Sequence, residues 1–459
     1  DIGDKRKFQF ASAFHLPTMG DIAGDVHDEI LVPSLEASLG SGKVEFQGKL
    51  YALDGHGFGL TGWPISIPAS ALPRLVIADI DRDLENEVII QTNSVPPGKK
   101  ETLTILKGTS VWKQWEIPRA YTLSYYAPAV GNFDDDADLE IVIAISEDLG
   151  GVWLNGTVAV YNYDGSLVQG WPKILPTYIS SDHVPSVADF DGDGKDDIVI
   201  GGTRYLGKDE QGFTITDGDI YVFHRDGKLH QGYPASLGSV KHQNYHGIAR
   251  APRGSPAILN ILGDAKPEIA FVMGGSFIDR YLVGLFHANG TLVAGWPQNI
   301  SIARGVGDIS YGPTIADVSG DGVPDILLSS GNAFYMERHV AAGEEVEVGR
   351  GGVLAWHANG TLVAGFPKGT QFLAHAPPLV ADLEGDGKAE LIASSMYDFD
   401  IIRKRPLNRG TLYVWSLAGA ALPEEEVWPT YRRDALHSAC SQCDAVAEFE
   451  VEEAPVPHA

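Results

Sequence analysis

One element recurs along this chain: a short acidic loop set between two apolar runs. Its fullest copy is V-A-D-F-D-G-D-G-K-D-D-I-V-I-G-G, from Val187 to Gly202, with Asp189, Asp191, Asp193 and Asp197 at loop positions 1, 3, 5 and 9. Oxygen ligands at alternate positions of a tight turn suit a hard cation. Ca²⁺ accepts roughly six to eight oxygens in loose geometry, and a glycine relieves the turn. The pattern is not that of an EF-hand, whose closing acid comes later and whose flanks are helical. The position-1 residue returns at Asp21, Asp79, Asn132, Asp189, Asn260, Asp317 and Asp382, at intervals of 53 to 71 residues. A chain built of such units is a repeat architecture, and its length cannot be divided into ordinary domains.

Each unit repeats the same parts. An apolar strand enters through a proline four residues before the loop (Pro17, Pro128, Pro185, Pro256, Pro313 and Pro378), and a β-rich strand follows the loop. A third strand runs to a hairpin turn marked by Asp54, Asp164, Asp226, Asn289 or Asn359 before a glycine, which predicts two-residue turns. A fourth strand carries an aromatic-Pro pair: Trp63-Pro64, Trp171-Pro172, Tyr233-Pro234, Trp296-Pro297, Phe366-Pro367 and Trp428-Pro429. These pairs are expected to pack between neighbouring units. Four antiparallel strands repeated seven times predict an all-β fold, a seven-bladed β-propeller of four-stranded antiparallel blades. A unit of this size with one amphipathic sheet cannot cover both its faces alone. The blades are expected to start near 14, 72, 125, 182, 253, 310 and 375, with a segment 1–13 before the propeller (14–438) and a tail 439–459 after it. The 53 glycines and 27 prolines suit a turn-rich β protein.

The boxes resemble the FG-GAP/VCBS repeats of integrin-α-like seven-bladed propellers, of the microbial secreted type. The G-W-P strand ends and W-P-T-Y-R-R-D-A-L-H-S at Trp428–Ser438 are similar to segments of that group, and the resemblance covers roughly residues 10–438. It implies structural calcium that pins the first two strands of a blade. It also implies an extracellular or cell-surface location, in a family of adhesion receptors, sugar-binding lectins and some enzymes.

The loops are unequal. Three are complete and carry the glycine: Asp189/Asp191/Asp193/Asp197, Asp317/Ser319/Asp321/Asp325 and Asp382/Glu384/Asp386/Glu390. Two lack the glycine: Asp79/Asp81/Asp83/Glu87 and Asn132/Asp134/Asp136/Glu140. The first unit has Ala23 and the fifth Leu262 at position 3, so about five Ca²⁺ sites are expected and the fifth loop is expected to hold none.

The connections between strands two and three fall on the opposite face. There the segments Ser34–Gly48, Gln91–Thr102, Gly201–Gly218, Ala333–Gly352 and Met396–Gly410 are long, as is Lys241–Gly254 between blades, and all read as irregular loops suited to binding. His15, Tyr126, His183, Tyr311 and His375 stand where the inner strands begin and are the ligand-binding candidates, with Arg250, Arg253 and Arg403 nearby. The leading expectation is a binding, adhesion or structural module, with protein subunits or glycans as partners. The alternative is a secreted carbohydrate-active enzyme of polysaccharide-lyase type, using His183, His246, Arg250 and Tyr311 at the channel mouth as acid, base and anion-binding groups. The sequence carries no nucleophile elbow, phosphate loop or H-E-x-x-H, and leans away from the enzyme.

Net charge is −27, which opposes nucleic acid or an anionic membrane as partner. No apolar run is long enough to span a bilayer, so direct membrane insertion is not expected. Four sequons, at Asn155, Asn289, Asn299 and Asn359, are candidates for glycosylation, although Asn-Gly is also a hairpin signal. Cys440 and Cys443 read as a local disulfide in an extracellular protein, with a zinc site that includes His437 as the competing reading. The chain opens on Asp1 rather than Met, as a processed chain or an excised segment would.

Overall fold

The structure is a computed structural model. It describes residues 18–420 except 26, 41–42, 68–73, 93–100, 118–126, 149–152, 180–183, 243–254, 265, 274–279, 302–307, 310–311, 342–343, 371–373, 375, 383–386, 396–398, 401–404 and 407–410. Among the described residues every regular element is a β-strand, and no helix is long and apolar enough to cross a membrane.

The chain is a seven-bladed β-propeller. Blade 4 shows the pattern: Ser186–Ala188, Asp197–Lys208, Thr214–Phe223 and Ala235–His242 pair in that order, each antiparallel to the next. Blades 1, 2, 3 and 5 have the same four-strand order. Blade 6 gains an extra short strand, Asp308–Ile309, beside Asp325–Ala341. Blade 7 shows three strands among the described residues: Leu379–Ala381, Lys388–Ser395 and Thr411–Ala420. The Trp428-Pro429 strand expected to complete it lies outside them.

The core sits between the blades. The second strands, such as Glu87–Thr92 and Glu268–Met273, are buried at every residue. A strand covered on both faces reads as an unbroken apolar run rather than an alternation, which is why E-V-I-I and E-I-A-F-V-M carry no period of two. One apolar cluster joins Val199 and Ile220 of blade 4 to Phe271 and Tyr281 of blade 5 and to Ile326 and Trp356 of blade 6.

The aromatic-Pro pairs pack between blades, as expected. Trp171 Nε1–H donates to Arg225 O (2.9 Å), the Tyr233 hydroxyl to His287 O (3.2 Å) and Trp296 Nε1–H to Ala358 O (2.7 Å). In each case the acceptor belongs to the hairpin turn of the next blade. The preceding glycine makes the approach possible: a Cβ at Gly232 would collide with Asn289 O, and one at Gly295 with Asn359 O. All five described aromatic-Pro bonds are cis.

Two expectations need correction. The turns marked by Asp-Gly or Asn-Gly are not two-residue turns, although that of blade 2, Gly108-Thr109 between the paired Lys107 and Ser110, is. His224 N–H donates to Lys228 O and Gly227 N–H to His224 O, which makes a three-residue loop ending in a glycine at φ 74°. The right-handed twist of the strands is met here by a type I turn with a left-handed glycine bulge. Three of the segments read as irregular loops are largely strand; the other three, 91–102, 241–254 and 396–410, lie mostly outside the described residues. Ser34–Gly48 lies within the hairpin Glu29–Gly40/Lys43–Leu53, Gly201–Gly218 within blade 4's central pair, and Ala333–Gly352 within Asp325–Ala341/Glu344–Trp356. In blade 4 the second strand is buried through Thr203 and then exposed, so the hairpin runs out past the packed ring. Arg204 ties its base, donating to Asp219 (2.8 Å) and Asp217 (2.8 Å).

Candidate metal centre

The acidic loops share one internal design. One oxygen of the position-9 acid accepts the backbone N–H of position 2: Ile22 to Glu29 (2.9 Å), Ile80 to Glu87 (3.0 Å), Phe133 to Glu140 (2.6 Å), Phe190 to Asp197 (3.0 Å), Ile261 to Glu268 (3.0 Å) and Val318 to Asp325 (3.1 Å). The position-1 side chain accepts from the next turn, as Asp189 does from Gly192, Asp193 and Gly194. The backbone thus folds around the acids and uses only part of their oxygen capacity. Buried oxygens left without a well-formed hydrogen bond include Glu87 Oε1, Glu268 Oε1 and Asp325 Oδ1.

Positions 4 and 6 are where the loop backbone turns left-handed. Gly192 and Gly194 sit there at φ 80° and 83°, and Gly320 and Gly322 at 78° and 82°. Blade 2 has no glycine at either position, yet Arg82 (φ 55°) and Leu84 (φ 72°) adopt the same conformation.

Register adds a residue that spacing alone does not reveal. Directly across the ladder from the position-9 acid stands the last residue before the hairpin turn. It is Asp54, Lys107, Asn162, His224, His287, His357 and Ser416 in blades 1 to 7, as the pairs Ile30–Leu53, Val88–Leu106, Ile141–Tyr161, Ile198–Phe223, Ile269–Phe286, Ile326–Trp356 and Glu390–Ser416 establish. In blade 2 the Lys107 ammonium lies 2.8 Å from Asp81, 2.7 Å from Asp83 and 3.1 Å from Glu87. The cation that meets those acids is the chain's own. In blade 6, His357 Nδ1 is 2.9 Å from Asp325 Oδ1, and in blade 5 His287 Nδ1 is 3.7 Å from Glu268 Oε1. The sequence does hold the signal, in the repeated strings F-H-R-D-G, F-H-A-N-G and W-H-A-N-G.

Burial dominates the electrostatics. It pushes the Glu140 carboxyl up to about 8 and that of Glu87 to about 7, and it raises Asp325 to about 6. Burial works against the Lys107 charge, but its bonds to Asp81, Asp83 and Glu87 outweigh this and hold the ammonium protonated. In blade 3 the cation is one step removed: Lys195 Nζ donates to Asn132 Oδ1 at position 1 (2.6 Å), and its charge eases Glu140 without pairing with it. Asp134, Asp136 and Glu140 offer oxygens within 4.8 Å of one another, and among the described residues no basic side chain forms an ion pair with them. Two carboxylates 4.8 Å apart repel by about 3–4 kcal/mol at an effective dielectric near 20.

Among the described residues four donor sets bring three or more metal-ligating side chains together: Asp79/Asp81/Glu87, Asp134/Asp136/Glu140, Asp189/Asp191/Asp193, and Asp191/Asp197/His224/His230. Blade 6 differs in arrangement: its loop is complete in sequence, but Asp317, Asp321 and Asp325 are not among the sets whose donor atoms lie within 4.8 Å of one another. The backbone bonds of Asp317 and Asp321 repeat those of Asp189 and Asp193 in blade 4, and the differences lie in Ser319 and His357. Asp317 accepts from Gly320 (2.7 Å) and Gly322 (2.7 Å). The Ser319 hydroxyl turns to Asp317 Oδ1 (3.2 Å). Asp321 Oδ1 accepts Val323 N–H (2.9 Å), and its Oδ2 faces solvent 4.0 Å from His357 Nδ1. His357 also holds Asp325, so an imidazole stands among the oxygens that the spacing assigned to a cation.

In blade 7 Asp382 accepts from Gly387 (2.7 Å), and Glu390 pairs with Ser416 across the ladder. Glu384 and Asp386 lie outside the described residues. So do His15, Tyr126, His183, His246, Arg250, Arg253, Tyr311, His375, Arg403, His437, Cys440 and Cys443. The four sequon asparagines, Asn155, Asn289, Asn299 and Asn359, are all exposed.

Residues 132–200 match the FG-GAP-like repeat family. The matched stretch runs from the first ligand position of blade 3 to the second strand of blade 4, and so holds two whole acid boxes. No curated protein matches the sequence. Among solved structures, the biofilm matrix protein Bap1 of V. cholerae is similar at 15% identity and a TM-score of 0.42, covering 96% of each chain. A subtype N10 neuraminidase-like protein of A/little yellow-shouldered bat/Guatemala is similar at 9% identity and a TM-score of 0.34, covering 69% of this chain and 89% of its own. Synechocystis apocarotenoid oxygenase is similar at 11% identity and a TM-score of 0.34, over 89% of this chain and 90% of its own. A matrix protein, a neuraminidase-like protein and an oxygenase share no activity, and none is carried over to this chain.

Proposed function

We propose that the chain is an extracellular, calcium-stabilised propeller that serves as a binding, adhesion or structural module of a cell-surface or secreted assembly, with protein subunits or glycans as partners. The observation that carries this reading is the division of labour between its two faces. The acid loops and the glycine-bearing turns lie together on one face and join blade to blade. On the other face the hairpins of blades 1, 4 and 6 are long, and that of blade 4 runs beyond the packed ring and exposes Tyr205 and Leu206 (41% and 45% exposed). Rigid scaffolds place recognition on such projections. The exposed sequons suit an extracellular chain in a glycosylating host.

Calcium belongs first to blade 3, whose three converging acids form no ion pair among the described residues; Lys195, which bonds Asn132 at position 1, would have to turn away for Asn132 to join them. Blades 6 and 7 have the spacing for it as well; in blade 6 binding would require Ser319 and Asp321 to turn inward and His357 to give up Asp325. In blade 3 the fit rests on the convergence of Asp134, Asp136 and the buried Glu140 within 4.8 Å of one another. Ca²⁺ would neutralise the mutual repulsion of the acids and so hold strand one to strand two. In blade 2 the Lys107 ammonium supplies that charge instead.

Two measurements test the reading. Metal analysis after dialysis against Ca²⁺ should show bound calcium, and chelation should lower the melting temperature; a chelator-insensitive melt with no bound calcium sinks the calcium assignment. Replacing the exposed part of blade 4's hairpin, residues 205–215, by a short turn should abolish binding on a glycan and matrix-protein panel while the melt is kept. Formation of unsaturated product from a uronic-acid polysaccharide would instead favour a lyase acting through His183, His246, Arg250 or Tyr311.

A further inference from the structure

Blade 4 departs from the other blades at one buried position. Its hairpin turn is followed by His230, whose backbone N–H donates to Val222 O (2.9 Å). The residues that make the same bond in blades 1, 3, 5 and 6 are Leu60, Val168, Val293 and Val363. A side chain that is apolar elsewhere is here an imidazole, 8% exposed, packed edge-on against Phe190 with ring centroids 5.5 Å apart. Its Nε2 is turned toward the acid loop, 3.1 Å from Asp197 Oδ2, and makes no well-formed hydrogen bond there. Burying an imidazole nitrogen without such a bond is unfavourable unless something else occupies it.

A second histidine meets it. His224, across the ladder from Asp197, stacks on His230 with centroids 3.5 Å apart and an interplanar angle of 21°. Its Nδ1 lies 3.2 Å from Asp191 Oδ2 and 3.7 Å from Asp197 Oδ1. Asp197 Oδ2 accepts Phe190 N–H and also faces His230, while Oδ1 faces His224. Two imidazole nitrogens and two carboxylates therefore converge, with donor atoms within 4.8 Å of one another. With one donor atom per residue, the separations His230 Nε2–Asp197 Oδ2 (3.1 Å) and His224 Nδ1–Asp191 Oδ2 (3.2 Å) approach the edge of a tetrahedron with arms near 2.05 Å, which is about 3.3 Å.

Calcium is a poor occupant of this set, because it prefers many oxygens and gains little from imidazole. Nitrogen donors favour borderline divalent metals, and a four-donor N₂O₂ set suits zinc. We propose that Asp191, Asp197, His224 and His230 form a site for a zinc-class divalent metal in blade 4, separate in chemistry from the oxygen loops of blades 3, 6 and 7. Blade 6 is the internal contrast: it keeps one histidine, His357, but has Val363 where blade 4 has His230. The proposal does not depend on calcium elsewhere, since the two metals are read out separately.

The test uses the full chain with Cys440→Ser and Cys443→Ser, so that the tail cannot contribute thiolates. After chelation and desalting, the protein is titrated with Zn²⁺ and, in parallel, with Co²⁺, whose visible absorption reports a four-coordinate nitrogen-oxygen site. One equivalent should bind with a Co²⁺ band that Zn²⁺ displaces. His230→Val, which copies blades 3, 5 and 6, should keep the fold, lose the band and weaken Zn²⁺ binding by at least about tenfold, as should His224→Asn, which copies blade 3. The Ca²⁺ dependence of the melt should be unchanged in both variants. Absence of stoichiometric Zn²⁺ binding overturns the proposal, as does undiminished binding in His230→Val together with His224→Asn.

Discussion

At the scale of single residues, the side chain opposite the closing acid decides what each loop needs. Lys107 is the plainest case, with three carboxylates around one ammonium. Lys107→Met would leave Glu87, which is fully buried, and its two neighbours without a counter-charge. Removing one partner of a buried ionic group costs about 3–5 kcal/mol, so the variant should unfold that much more easily in chelator. Added Ca²⁺ should restore much of the loss, because the vacated loop has the acid spacing of its siblings. Denaturant melts with and without Ca²⁺ check this, and a variant as stable as the parent in chelator would sink the ammonium's role. The same loop holds a smaller liability. Leu84 is 83% exposed at φ 72°, where blades 4, 6 and 7 have glycine. A left-handed leucine costs about 1–2 kcal/mol and a glycine gives back part of that in the unfolded chain, so Leu84→Gly should stabilise by up to about 1 kcal/mol. A lower denaturation midpoint would contradict it. The acids themselves were legible in sequence because their spacing lies within one loop. Spacing did not say which of them converge: Ser319 sits at the right position, but its hydroxyl turns to Asp317 and His357 takes up Asp325. Lys107 and the histidines were not legible, because they stand 19 to 33 residues from the closing acids they face and only the strand register brings them there.

At the scale of the strand and turn, the blade-to-blade cement is a glycine, an aromatic ring and a carbonyl of the next turn. Tyr233→Phe removes only the hydroxyl that bonds His287 O, a loss of about 1 kcal/mol. Gly295→Ala should cost more, since it forces a Cβ onto Asn359 O at φ 94°. If the two substitutions prove equally mild in equilibrium unfolding, close approach of the turns is not what joins the blades. The recurrence of Trp-Pro made this packing readable from the sequence, because a repeat needs the same contact at every junction. Turn geometry and the hairpins on the far face were misread for a common reason. Asp-Gly marks a turn but does not count its residues; the count depends on which backbone N–H groups pair, as His224 and Lys228 do. Polar strings such as T-R-Y-L-G-K look like loops because strands beyond the packed ring no longer need apolar side chains on both faces.

At the scale of the whole molecule, seven acid loops on one face make stability depend jointly on pH and metal. In the metal-free protein, burial places Glu140 near 8 against an ordinary 4.5, with Asp325 raised to about 6. The folded state therefore binds more protons than the unfolded chain between those values, and stability must fall as pH rises through this window. For Glu140, which is 1% exposed, the span corresponds to at most about 4–5 kcal/mol, complete below about pH 4.5 and gone above about pH 8. Calcium reverses the slope, because ligands must be ionised to bind it and binding adds about 2.7 kcal/mol per site at a hundredfold excess over the dissociation constant. Chelated protein should melt progressively lower from pH 5 to pH 8, and calcium-loaded protein progressively higher. Glu140→Gln separates the causes. It should flatten the chelated profile, because an amide stays neutral at every pH, and lower the calcium-loaded melt by the loss of one site. Parallel pH profiles with and without Ca²⁺ would mean that the buried acids of blades 3 and 6 are satisfied by the protein alone, as those of blade 2 are by Lys107.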